Sequence, residues 1–158
     1  MSKPTNTPIP RPADDPVLRV LAPLVEAYLA FSREAERHLA GLGVTPAQFD
    51  VIATLGNTDG LKCSELSENT LITKGTLTGV IDRLEAKGLV ERRDDPEDRR
   101  VHRIRLTADG DALFRRVFPA HMQWLRPYFQ RAFTPAQARD VGAALERLRD
   151  SFEGSAAP

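Results

Sequence analysis

Two stretches of this 158-residue chain carry the residue types and spacings that point to chemistry. One is Thr73-Lys74-Gly75-Thr76-Leu77-Thr78-Gly79, rich in hydroxyls and glycines; the other is Arg92-Arg93-Asp94-Asp95-Pro96-Glu97-Asp98-Arg99-Arg100, where only the proline is uncharged. Hydroxyls and backbone N–H groups at a helix start donate well to phosphate oxygens, and glycine lets a backbone come close to its partner. Arginines set among carboxylates are either held in ion pairs or projected toward an anion. The chemistry on offer is recognition rather than bond making.

Other chemistries find little support. No phosphate loop, metal motif or nucleophile with its base occurs, so no catalytic residue, metal or cofactor is expected. Gly75-Thr76-Leu77-Thr78-Gly79 has the spacing of a nucleophile elbow, but that motif needs serine on a strand-to-helix turn. His38, His102 and His121 are far apart in sequence and lack ligand spacing. Cys63, the single cysteine, excludes an intramolecular disulfide and reads as a packed structural thiol. A redox-sensing role for it stays open as an alternative.

The elements that must position these stretches are mostly helical. Leu77, Val80, Ile81 and Leu84 form one stripe of a helix from Thr73 to Lys87, stopped by Gly88. The opposite face then carries Gly75, Thr78, Gly79 and Asp82, flanked by Thr76 and Arg83. Two glycines on a helix surface cost ~1 kcal/mol each relative to alanine, so something should offset them. Close approach to a phosphate backbone is one candidate; admitting a neighbouring helix is another, and a plain solvated face is the third. A short helix from about Ser64 to Asn69 precedes, and strand-like Leu89–Arg93 and Val101–Leu106 follow, joined by the charged block. Helix, turn, helix, hairpin is the order of a winged helix, which lays its second helix in the major groove of DNA and its hairpin on the adjacent minor groove. Asp94 or Asp98 is expected to hold the arginines while Arg99 or Arg100 projects from the tip, since a narrow minor groove accepts inserted arginine.

Around this core, residues 1–16 hold five prolines and read as a flexible arm. Thr45-Pro46-Ala47-Gln48 and Thr134-Pro135-Ala136-Gln137 each have the hydroxyl, proline and glutamine of a capped helix start. A helix from Val17 and two after Thr107 expose more apolar surface than the centre can cover, which predicts dimerisation. Kinks or a break are expected at Pro119 and Pro127. The chain is predicted to be mainly α: an arm (1–16), a helical dimerisation region (17–44 and 107–153) and a winged helix-turn-helix with a small β-hairpin wing (45–106). Lys+Arg and Asp+Glu are 22 each, so net charge gives no argument for a nucleic-acid partner. No apolar run suits a membrane span and no signal segment opens the chain, so a cytoplasmic location is expected.

The sequence also resembles a known family. Ile72 through Arg92, with Asp82-Arg83-Leu84-Glu85 running into Gly88-Leu89-Val90, then Asp95-Pro96-Glu97-Asp98-Arg99-Arg100 and Leu106-Thr107-Ala108-Asp109-Gly110, is similar to the MarR family of bacterial transcriptional regulators over roughly residues 17–152. The resemblance implies a homodimeric repressor that binds a pseudo-palindromic operator and is released by a small, often anionic or aromatic (for instance phenolic) ligand. Ser64, Thr73, Lys74, Gly75, Thr76, Thr78, Gly79, Arg83, Asp98, Arg99 and Arg100 are then the candidate DNA contacts. His38 and Asp50 are candidate effector residues near the junction of the first, second and fifth helices. Relatives often carry arginine or another long polar residue where Gly79 stands, which shifts base reading here toward the threonines and the wing. A winged-helix module that binds a protein instead of DNA is the other alternative.

Overall fold

The structure is a computed structural model that describes residues 15–95, 98 and 100–154. Most of the expected arm, and Pro96, Glu97 and Arg99 of the charged block, lie outside the described residues. Helix α1 (Pro16–Gly41) starts inside the segment expected as an arm. Asp15 accepts a hydrogen bond from the Val17 N–H at 2.9 Å, and proline at the first helical position has no N–H to leave unsatisfied.

Next come α2 (Pro46–Leu55), the two-residue strand β1 (Leu61–Lys62), α3 (Cys63–Asn69), α4 (Lys74–Ala86), β2 (Val90–Asp94), β3 (His102–Leu106), α5 (Ala108–Ala132) and α6 (Pro135–Glu153). Both Thr-Pro-Ala-Gln repeats form full capping boxes at the starts of α2 and α6. The strands make one antiparallel sheet in the order β1-β3-β2, with Arg92 opposite Ile104 and Asp94 opposite His102. β1 is a strand that the sequence pattern did not reveal; it pairs Leu61 with Ile104 and closes the hairpin's inner edge.

Val51, Ile52 and Leu55 from α2, Leu66 from α3, Leu77, Val80, Ile81 and Leu84 from α4, with Val90, Ile104 and Phe114, form the core. Burying each such side chain contributes about 2 kcal/mol, against about 1 kcal/mol lost at each helical glycine. Packing of one face therefore fixes α4 whatever the other face carries. Gly88, with φ +70°, ends α4 in a conformation that other residues adopt at a steric penalty. Gly110 lets α5 press on the hairpin, since a Cβ there would lie 1.9 Å from the Leu89 carbonyl oxygen.

Of the kinks or break expected at Pro119 and Pro127, the break does not occur: α5 runs as one helix through both. Both prolines are exposed, as are Arg115 and Gln123 four residues before them. The carbonyls left without an N–H partner thus face water, which satisfies them. α6 contains no buried residue, and its Val141, Leu145 and Phe152 stand exposed, as do Val17, Leu21, Val25, Tyr28 and Leu29 of α1. Among the described residues no helix is long and apolar enough to cross a membrane.

Candidate nucleic-acid interface

Thr73 is the N-cap of α4, its carbonyl accepting from the N–H groups of Thr76 (2.9 Å) and Leu77 (3.0 Å). The first N–H groups of such a helix lack intrahelical partners and point outward with the positive end of the dipole. The four apolar residues of the stripe face the core, whereas Thr73, Lys74, Gly75, Thr76, Thr78, Asp82 and Arg83 are exposed and Gly79 is half-buried. A Cβ on Gly75 would meet nothing within 4 Å, and one on Gly79 would meet only the Arg83 guanidinium at 3.5 Å. Neither glycine serves to admit a neighbouring helix of its own chain. The polar face is open.

The hairpin is fastened to this helix by Arg92, whose Nη2 lies 2.5 Å from Asp82 Oδ1 and whose Nη1 pairs with Glu85. Those two carboxylates, at the far end of the outer face, are thereby neutralised. Glu91 accepts from Arg105 Nε (2.6 Å) and Arg93 Nε (3.2 Å), and these bonds hold its carboxyl below the ordinary carboxylate range.

The carboxylate that organises the wing differs from the two expected. Asp95 is fully buried: Oδ2 accepts from Arg103 Nε at 2.7 Å and lies 3.8 Å from Lys62 Nζ, while Oδ1 accepts from the Asp98 N–H at 3.2 Å. Its own N–H donates to the Val101 carbonyl at 2.9 Å. Arg103 also donates to the Gly60 carbonyl at 3.1 Å, so one buried carboxylate joins the wing base to the turn before β1. Asp98 holds the backbone, not a side chain, of Arg100, accepting from its N–H at 3.0 Å, and Asp94 pairs with His102 at 3.1 Å. Neither carboxylate pairs with the Arg100 side chain; the chain turns at Asp95 and takes that carboxylate inward. Among the described residues no carboxylate pairs with the Arg100 side chain, and Arg99 lies outside them.

A surface groove of about 370 Å³ brings Ser64 and Cys63 of α3 together with Thr78, Arg92 and Arg100. Sequence-distant hydroxyls and guanidinium groups thus share one surface. Cys63 is exposed, which corrects the expectation of a packed thiol: the inward face of this seven-residue helix is filled by Leu66.

The two candidate effector residues go to different places. Asp50 Oδ2 accepts from the Leu71 N–H at 2.7 Å, across the turn that leads into α4. Burial raises its carboxyl from 3.8, and the Leu71 bond opposes that rise. His38 stacks on Trp124 (4.4 Å between ring centroids), and its Nδ1 lies 3.1 Å from Nδ1 of His121. His121 is buried, with Phe49 of α2 edge-on at 4.8 Å. Burial first, then the neighbouring His38, lower its pKa below 6.5. The sequence separation of the histidines concealed this pair, which forms because α1 and α5 pack side by side.

A helix-turn-helix whose second helix presents an open hydroxyl and glycine face, with a three-stranded wing beside it, is a winged-helix DNA-binding fold. The MarR family profile matches residues 44–102. The chain is 43% identical over 113 residues to the HTH-type transcriptional repressor MdtR of Bacillus subtilis (strain 168), a match covering 70% of this chain and 73% of that protein. Among solved structures, Sco3205 of Streptomyces coelicolor, a MarR family transcriptional regulator in complex with DNA, is similar with a TM-score of 0.79 and 25% identity over 92% of each chain. BpsR of Bordetella bronchiseptica, whose DNA binding is regulated by 6-hydroxynicotinic acid, is similar with a TM-score of 0.77 and 26% identity, covering 90% of this chain and 99% of that one. The chain belongs to the MarR family. It is a DNA-binding transcriptional regulator and not an enzyme.

Proposed function

We propose that this regulator acts in the cytoplasm as a homodimeric repressor of nearby genes, held together by the exposed apolar faces of α1, α5 and α6. Each subunit lays Thr73, Lys74, Gly75, Thr76, Thr78, Gly79 and Arg83 in the major groove of a pseudo-palindromic operator. Ser64 meets the backbone, Asp98 holds the Arg100 N–H in the turn of the wing, and Arg99 and Arg100 reach into the neighbouring minor groove. The observation that carries this reading is the outer face of α4, which is polar, small and free of intrachain packing around both glycines. A small aromatic, often anionic, ligand releases the complex from the side of His38. That reading is supported by the ring cluster of His38, His121, Trp124 and Phe49, whose last member is the chain neighbour of Asp50, the residue that grips the turn before α4.

A gel shift on the region upstream of the protein's own gene, or between it and a divergent neighbour, tests the proposal. Retarded bands that dissolve as salt rises, and that a phenolic or hydroxylated aromatic acid abolishes, are expected. Binding to no upstream duplex at low salt, together with capture of a protein through the same face, would overturn it in favour of a protein-interaction module.

The exposure of Cys63 supports a second reading. Peroxide would oxidise its thiolate to a sulfenic acid, releasing hydroxide, on the surface it shares with Thr78 and Arg100. Oxidant then dissociates the complex, and Cys63→Ser removes that response; an unaltered response in the variant excludes it.

A further inference from the structure

Leu71 is 93% exposed, and every other large apolar side chain exposed among the described residues lies on α1, α5 or α6. Those helices carry the apolar faces assigned above to a second copy; Leu71 stands in the winged-helix region, at the turn between α3 and α4. It is not loose. Thr70 before it is buried, with its hydroxyl donating to the Leu66 carbonyl at 2.8 Å, and Ile72 after it packs on the core. Its own N–H donates to Asp50 Oδ2 at 2.7 Å, a carboxylate 21 residues away on α2. The turn is therefore pinned on three sides, and the one side chain left outside is apolar. It stands two residues before the N-cap Thr73, at the end of α4 where the glycine and threonine face opens.

An apolar group at this end of the helix has one sequence-dependent partner in the major groove, the 5-methyl group of thymine, which only A·T pairs present there. We propose that Leu71 is a specificity-determining residue that packs its methyl groups on a thymine methyl at the edge of each half-site. Asp50 is the positioning residue that aims it. This rests on the reading of α4 as the element in the major groove.

The test begins with a duplex selected by the wild-type protein from a random pool, in which each thymine is then replaced singly by deoxyuridine, removing only the methyl group. At one thymine per half-site the wild type should lose about fourfold in affinity, the worth of one methyl group taken out of water. Leu71→Ala should bind the parent duplex more weakly and be indifferent to that replacement. Asp50→Asn, which keeps an acceptor for the Leu71 N–H, should retain the discrimination, and Asp50→Ala should lose it at unchanged α-helical content. A scan in which no thymine distinguishes the wild type from Leu71→Ala overturns the proposal. So does a uniform loss on every duplex, which would assign Leu71 to the sugar-phosphate backbone. Failure of the wild type to select any duplex would instead sink the underlying reading of α4.

Discussion

Replacing Gly75 and Gly79 with alanine should make the protein more stable and a poorer DNA binder. The two effects have separate origins. A glycine inside a helix is about 1 kcal/mol worse than alanine; Gly79 is in mid-helix and Gly75 in the first turn of α4, so the pair together is worth about 1.5 kcal/mol. The added methyl groups meet no obstacle, because position 75 has no heavy atom within 4 Å and position 79 only the Arg83 guanidinium at 3.5 Å, an ordinary contact. For a chain of this length about 1 kcal/mol shifts the midpoint by ~2–4 °C, so the double variant should melt about 3–6 °C higher at fixed protein concentration. On DNA the same methyl groups occupy the space through which the backbone reaches its partner. Loss of one or two hydrogen bonds of about 1–1.5 kcal/mol each corresponds to a roughly tenfold to hundredfold weaker complex. Differential scanning calorimetry and fluorescence anisotropy on one protein preparation read both quantities. Higher stability with unchanged affinity would refute close approach, and lower stability would refute the account of what the glycines cost.

Further expectations concern the wing, the histidine pair and the dimer. Arg99→Ala and Arg100→Ala should each weaken binding several-fold and flatten the slope of log affinity against log salt by about one; an unchanged slope in anisotropy titrations removes that residue from the contacts. Asp95→Ala leaves the Arg103 and Lys62 cations and the Asp98 N–H without their shared acceptor, so chemical denaturation should show a loss on the order of 2 kcal/mol, and an unperturbed midpoint would show that the wing does not depend on it. His121 favours the neutral imidazole in the fold, its pKa lying below 6.5. Its contribution to stability is therefore full above pH 6.5 and falls as acid protonates the unfolded chain in preference to the folded one. The melting temperature should decline below that pH more steeply for the wild type than for His121→Phe, and parallel declines would contradict the assignment. Leu145→Glu puts a charge on the exposed stripe of α6; sedimentation should find monomers that no longer bind the operator, and an intact dimer would move the interface elsewhere.

What the sequence made legible was whatever local chemistry decides. The hydroxyl, proline and glutamine at Thr45 and Thr134 determine their own helix starts, and the stripe Leu77, Val80, Ile81 and Leu84 determines which way α4 faces, because both depend on residues a few positions apart. The misses are contacts across the fold. β1 has two residues and exists only because β3 lies beside it. His38 and His121, 83 residues apart in sequence, meet because α1 packs on α5. Among four acids in the charged block, composition could not single out Asp95, whose role follows from burial against Arg103; its position before a proline, where the chain is driven to turn, was the one local signal. Whether the prolines would break α5 was undecided for a related reason, since their effect depends on whether water reaches the carbonyls they leave open.

Dimethyl sulfate footprinting of the wild type on its selected duplex tests the central claim most directly, because the reagent methylates guanine N7 in the major groove and adenine N3 in the minor groove. The account predicts a two-fold symmetric pattern in which N7 protections recur about one helical turn apart and neighbouring N3 protections vanish with Arg99→Ala or Arg100→Ala. Protection confined to one groove, or N3 protection indifferent to both substitutions, would contradict it.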